Sequence, residues 1–217
     1  MATYLNLVND VLIRLREAEV TGTTDTTYSK LISKFVNDSK REVEDAWNWT
    51  TLRTEVTLTL TATDSTYDLT NTTHRTRILE VHNTTKDHII PSLNHIQFQR
   101  RTNLGSSISG SPSYYKLMGF NSSTLRLKIE FHPIPDSTDT IEFYCVVPQA
   151  DLSSDATVLS CPAEPVILGA YAKAVSERGE DGGQIFAEAD KAYRDALHSA
   201  IAWDGASIHE EMSWIPV

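Results

Sequence analysis

The chain has 217 residues, 40% of them hydrophobic and 22% charged, which is the composition of a globular protein with a conventional core and excludes disordered and collagen-like classes. A chain of this length buries roughly 70% of its unfolded surface. Its formal net charge of −10 argues against tight nucleic-acid binding, because that binding draws its affinity from Lys and Arg neutralising phosphates.

Thr3 stands as N-cap to a first helix in which Tyr4, Val8, Val11, Leu12 and Leu15 recur at helical spacing down to about Ala18. A Thr- and Gly-rich connection leads to a second helix marked by Ile32, Phe35, Val36, Ser39, Val43, Ala46 and Trp47. The pair is expected to form an αα-hairpin.

At Asn48 the period drops to two, with Val56, Leu58 and Leu60 alternating against polar residues. Further strands are predicted at Thr66 to Leu69, Arg77 to His82, Tyr114 to Phe120, Thr124 to Phe131 and Thr140 to Val147; Leu125, Leu127, Ile129 and Phe131 alternate most cleanly. Leu93 to Arg101 reads as a short helix. Thr102 to Pro112, rich in Gly and Ser, reads as a mobile exposed loop.

Helical spacing returns after Pro162, with Pro165 in a tolerated first-turn position and Gly179 as the stop. A last helix is predicted from about Gly183 to Trp203, its stripe of Phe186, Ala189, Ala192, Tyr193, Ala196, Leu197, Ala200 and Ile201 small enough for close helix approach. The expected fold is thus α+β. Residues 1–49 and 163–204 form a helical bundle, 50–150 an inserted antiparallel β-rich domain, 151–162 a connecting loop and 205–217 a docking tail. In that tail Ile208, Met212, Trp214, Ile215 and Val217 are the apolar anchors.

No constellation of residues points to chemistry. His74, His82, His88 and His95 sit on separate β-region segments without metal-ligand spacing. The stretch from Gly105 to Gly110 lacks the second glycine of a nucleophile elbow, and Gly179 to Gly183 lacks the lysine of a phosphate loop. Glu42 and Glu44, like Glu210 and Glu211, point in different directions on a helix and read as solvated faces; Trp47 and Trp49 read as core at a helix-to-strand corner. Cys145 and Cys161 follow no redox or metal spacing and are expected to be buried, reduced thiols. The start has neither a basic n-region nor an apolar h-region, and no apolar run approaches a membrane span, so folding in a cytosol is expected. The expectation is of no enzyme, no cofactor and no metal.

Four stretches taken together resemble the head-to-tail adaptor family of tailed bacteriophages, including its tail tubular protein A type. They are Thr3 to Leu12 with Arg14 to Glu17; Phe35 to Trp47; Val147 to Leu152; and Glu164 to Ala172 with Glu177 to Gly183. The order and combination carry the match, which covers nearly the whole chain. The resemblance implies a structural virion protein at the neck between head and tail, made in the bacterial host cytoplasm. It implies a ring, a dodecamer, bound to the portal on one side and to a tail nozzle or tail tube on the other. Genomic DNA would pass through its lumen without tight binding, and no membrane is involved. The alternatives are a carbohydrate-binding or tail-accessory module using the β-rich region, and a hydrolase, which would need a convergent acid, base or metal site.

Overall fold

A computed structural model describes residues 2–104, 108–179 and 184–209. Among these residues the chain is mixed α+β, with five α-helices and two antiparallel sheets. It divides into one unit of Met1–Leu52 with Gln149–Val217 and a second of Arg53–Pro148. The borders thus fall at Leu52/Arg53 and Pro148/Gln149, and residues 151–162, which hold no helix or named strand, lead to the helix at Ala163 within the first unit.

In the first unit, helix α1 (Tyr4–Arg14) starts where Thr3 Oγ1 accepts the Asn6 N–H at 3.4 Å, and it buries Tyr4, Leu7, Val8, Val11 and Leu12. It stops short of the predicted Ala18. Arg16 turns left-handed at φ 59°, and the Leu15, Arg16 and Glu17 N–H groups bond back to Val11, Ile13 and Leu12, which closes the helix without a glycine. Helix α2 (Thr27–Ala46) begins with a capping box: Thr26 Oγ1 accepts the Ser29 N–H at 2.9 Å and Ser29 Oγ accepts the Thr26 N–H at 3.0 Å. Its stripe of Ile32, Val36 and Val43 is buried, and a 3-10 turn, Thr50–Leu52, follows.

Helix α4, named in chain order, spans Ala163–Arg178 with Pro165 buried in its first turn, and ends at Gly179, whose φ of 62° costs an L residue but not glycine. Helix α5 (Gln184–His209) outruns its predicted end at Trp203. The Asp204 carboxylate accepts Trp47 Nε1–H at 2.9 Å and the Thr50 N–H at 3.2 Å, and Gly205 lies where an added Cβ would sit 3.7 Å from Trp47 Cζ2. These ties to the end of α2 outweigh the low helix propensity of Gly205. Residues 205–209 of the expected tail, Ile208 among them, continue α5, while Met212, Trp214, Ile215 and Val217 lie outside the described residues. Within the last helix's stripe only Ala189 is fully buried; Tyr193, Ala196, Leu197, Ala200 and Ile201 are half-buried, and Phe186 and Ala192 are exposed. Close approach occurs at Gly169 of α4, where a Cβ would meet Ser39 Oγ of α2 at 3.0 Å and Tyr193 Cδ2 of α5 at 3.2 Å.

The second unit contains β1 (Arg53–Thr59), β2 (Thr66–Asp68), β3 (Arg77–Asn83), β4 (His88–Ile89), α3 (His95–Leu104), β5 (Tyr114–Phe120), β6 (Leu127–His132) and β7 (Thr140–Val146). One sheet has the order β1-β7-β3-β4 and the other β2-β6-β5. Val56, Val81, Leu127, Ile129, Phe131, Ile141 and Phe143 share one core, with the Tyr115 and Phe143 rings edge to face at 6.4 Å.

Two expectations fail in this unit. Leu125 does not join the alternation: it sits at φ 55°, about half exposed, and the strand begins at Leu127. The stretch from Thr102 to Pro112 is not an exposed loop throughout. Helix α3 runs on to Leu104; Ile134 and Gly110 exchange main-chain bonds with Ile108 and Ile134 at 3.1 and 2.9 Å; and Pro112 is buried. Residues 105–107 of that loop lie outside the described residues. Burial opposes ionisation of the nearby Asp139, yet donors from Asn83, Ser111 and Ser137 hold its carboxyl below the usual carboxylate range.

Candidate interaction surfaces

The residues that carried the adaptor resemblance in the second helix have an architectural use. Asn37, Lys40, Arg41 and Glu44 lie on one side of α2, at the three- and four-residue spacing that aligns side chains, and together they hold the extended segment 149–152. Asn37 receives the Leu152 N–H at 2.8 Å and donates to the Leu152 carbonyl at 3.1 Å. Arg41 forks onto the Asp151 carboxylate. Lys40 and Glu44, both fully buried, form an ion pair at 2.8 Å; Lys40 Nζ donates to the Gln149 carbonyl at 2.6 Å, and Glu44 Oε1 accepts the Gln149 N–H at 3.2 Å.

Two stretches far apart in sequence are thereby joined by main-chain recognition. Glu44 is therefore not part of a solvated face, and that expectation is corrected: only Glu42, paired with Lys173 at 2.7 Å, is exposed. Trp49 is core, with Nε1–H on the Val43 carbonyl at 2.6 Å, and Trp47 is half-buried.

Cys145 and Cys161 are both buried and free, and burial pushes each thiol up to about 12, so neither is a nucleophile at neutral pH. Among the described residues no group of His, Cys, Asp or Glu is arranged to hold a metal, and no helix is long and apolar enough to cross a membrane. Burial, followed by the Arg101 charge, lowers His132, whose ring packs against Phe98.

What the surface does offer is apolar. In the first unit a cleft of about 510 Å³ lies between the first turn of α4 and the α5 residues Ala196, Ser199, Ala200, Trp203 and Asp204, and the Trp203 side chain stands 81% exposed beside it. Tryptophan is enriched among the residues that carry most of the binding energy at protein interfaces. Periodicity alone placed Trp203 at a helix end and gave no sign of its exposure.

In the second unit Leu117, Met118, Phe120 and Leu125 are each about half exposed around the β5–β6 hairpin. The consecutive apolar pair Leu117-Met118 breaks strand alternation, and that was the one signal for it in the sequence. Charge is segregated too. Residues 53–148 carry nine Lys or Arg and nine Asp or Glu, so the whole formal charge of −10 falls on residues 1–52 and 149–217.

Of the candidate anchors, Ile208 is placed on α5, and Met212, Trp214, Ile215 and Val217 lie outside the described residues. Compared with known proteins, the chain matches the family model described as SU10 adaptor protein over residues 2–210, which supports a phage adaptor-type protein. No curated protein matches it.

Proposed function

The chain belongs to the SU10 adaptor protein family, and from that membership we propose that it is a structural virion protein, a head-to-tail adaptor that closes into a dodecameric ring. One face of the ring binds the portal and the other a tail nozzle or tail tube, at the neck of the virion. The chain performs no reaction; its work is assembly. The observation that carries this reading is the extent of the family match, residues 2–210.

Other observations are consistent with it. The helices α1, α2, α4 and α5 are read as one bundle built from both chain ends, with the β-rich unit inserted between them. Since the acidic surplus belongs to the helical segments alone, these are the segments assigned to the lumen, where like charge lets duplex DNA slide without sticking. The portal contact is assigned to the chain end, with Met212, Trp214, Ile215 and Val217 as anchors after Ile208 at the end of α5. A carbohydrate-binding or tail-accessory role is not favoured by any of these features.

The test mixes the purified full chain with portal rings of the same virus and counts bound copies by native mass spectrometry. A complex with many copies per portal ring is expected. Absence of a complex, or binding of one or two copies, contradicts the proposal.

A further inference from the structure

Strand β5 is the edge of its sheet; among the described residues its first half is covered by main chain, while in its second half the Phe120 ring lies 5.8 Å from that of His74. Tyr115 N–H donates to the Pro91 carbonyl at 3.2 Å and Leu93 N–H to the Tyr115 carbonyl at 2.8 Å, so residues 91–93 lie along that half. Lys116 points inward, 2.7 Å from Glu130 and 4.5 Å above the Phe98 ring.

From Leu117 onward the register slips and Gly119 takes φ 101°, a bulge that throws Leu117, Met118 and Phe120 out to solvent beside Leu125. An edge that is apolar and exposed is an association site unless something guards it. The charges alongside are Arg126, exposed, and Lys128, half-buried; the nearby Asp68 carboxylate accepts from Asn121 at 2.6 Å.

The outward face of the other sheet has the complementary character. Register places Glu55 of β1 and Glu80 of β3 on either side of Tyr144 of β7, with Glu142 one pair further along opposite His82. Burial, and then the three carboxylates around it, push the Tyr144 phenol above its ordinary value. Beside Tyr144, Leu79 and Cys145 help to line a cleft of about 340 Å³ that also includes Arg53. One chain therefore carries an apolar patch flanked by cations on one sheet and an apolar cleft flanked by carboxylates on another. Two different, complementary patches on one chain make heterologous contacts, which close into rings when the rotation permits.

We propose that neighbouring copies in the adaptor ring contact each other through this pair: the β5–β6 hairpin of one copy, with Leu117, Met118, Phe120, Arg126 and Lys128, docks on the Glu55, Glu80 and Glu142 face of the next. The occupant of each patch is a second copy of this chain, and the contact rests on the ring reading above. A benzophenone side chain introduced at position 118 and photo-activated in intact virions tests it. The expected adducts join position 118 of one copy to residues 53–59, 77–83 or 140–146 of another and give a ladder of multimers. Adducts to a different protein or to other segments, or no adducts, in a neck holding many copies would overturn the contact and leave the ring standing. One or two copies per neck would remove the ring and the contact together.

A charge exchange supplies the second measurement. The exposed pair Glu55→Lys and Glu80→Lys should lower the copies in the neck by roughly tenfold or more, and adding Arg126→Glu and Lys128→Glu should restore them. Unchanged incorporation of the first variant, or no restoration in a combined variant whose circular dichroism is native, contradicts the proposal.

Discussion

Replacing Lys40 by methionine is expected to destabilise the unit of residues 1–52 and 149–217 by about 3 to 5 kcal/mol. The Glu44 carboxylate is fully buried 2.8 Å from Lys40, and the substitution deprives it of that cation in a place water does not reach. The donor to the Gln149 carbonyl goes as well. Removing both charges, with Lys40→Met and Glu44→Leu, should return most of the loss, because an apolar pair of similar volume often replaces a buried ion pair at little cost. The remainder reflects the two bonds to the Gln149 main chain, each worth about 0.5 to 1.5 kcal/mol.

All four tryptophans, Trp47, Trp49, Trp203 and Trp214, belong to this unit, so tryptophan fluorescence against urea reads it selectively. The midpoint for Lys40→Met should fall by roughly 1 M or more. A midpoint equal to that of the parent would show that the pair does not hold segment 149–152.

Deleting residues 210–217 should abolish attachment to the portal while leaving the urea midpoint unchanged. The deletion begins after His209 because α5 continues that far and is fastened through Asp204 and Gly205 to Trp47; cutting from 206 would confound docking with loss of a helix end. Trp214→Ala alone should weaken portal binding roughly 30-fold or more, since a tryptophan anchor commonly contributes 2 kcal/mol or more at an interface. Loss of folding with portal binding retained per folded molecule would mean that the tail covers its own subunit's helices instead.

The sequence was most legible where a single period ran without interruption. The apolar stripes of α1 and α2, the Thr3 cap, the stop at Gly179 and the extents of β5 and β7 all follow from spacing and local caps. Some helix boundaries were not legible. Nothing local announces that Arg16 turns left-handed, or that the ties between Asp204 and Trp47 carry α5 past Gly205.

The same holds for the surfaces. A Lys and a Glu four apart on a helix look solvated until residues 149–152 are laid over them, and Leu125 fits the alternation of its strand until its φ of 55° takes it out. Some residues of the four stretches that resemble the adaptor family fasten helical segments to each other, as the Arg178 bond to Glu17 at 2.5 Å and the Asn37 bonds to Leu152 illustrate. Interfaces between copies leave a weaker mark, since exposed apolar residues on a strand read like core until the fold shows which face is covered.

The most direct test of the central claim is a reconstruction of the virion neck. A closed ring of many copies of this chain, seated between portal and tail around the DNA channel, is the predicted result. A neck in which the chain is present in one or two copies, or lies away from the portal, would contradict it.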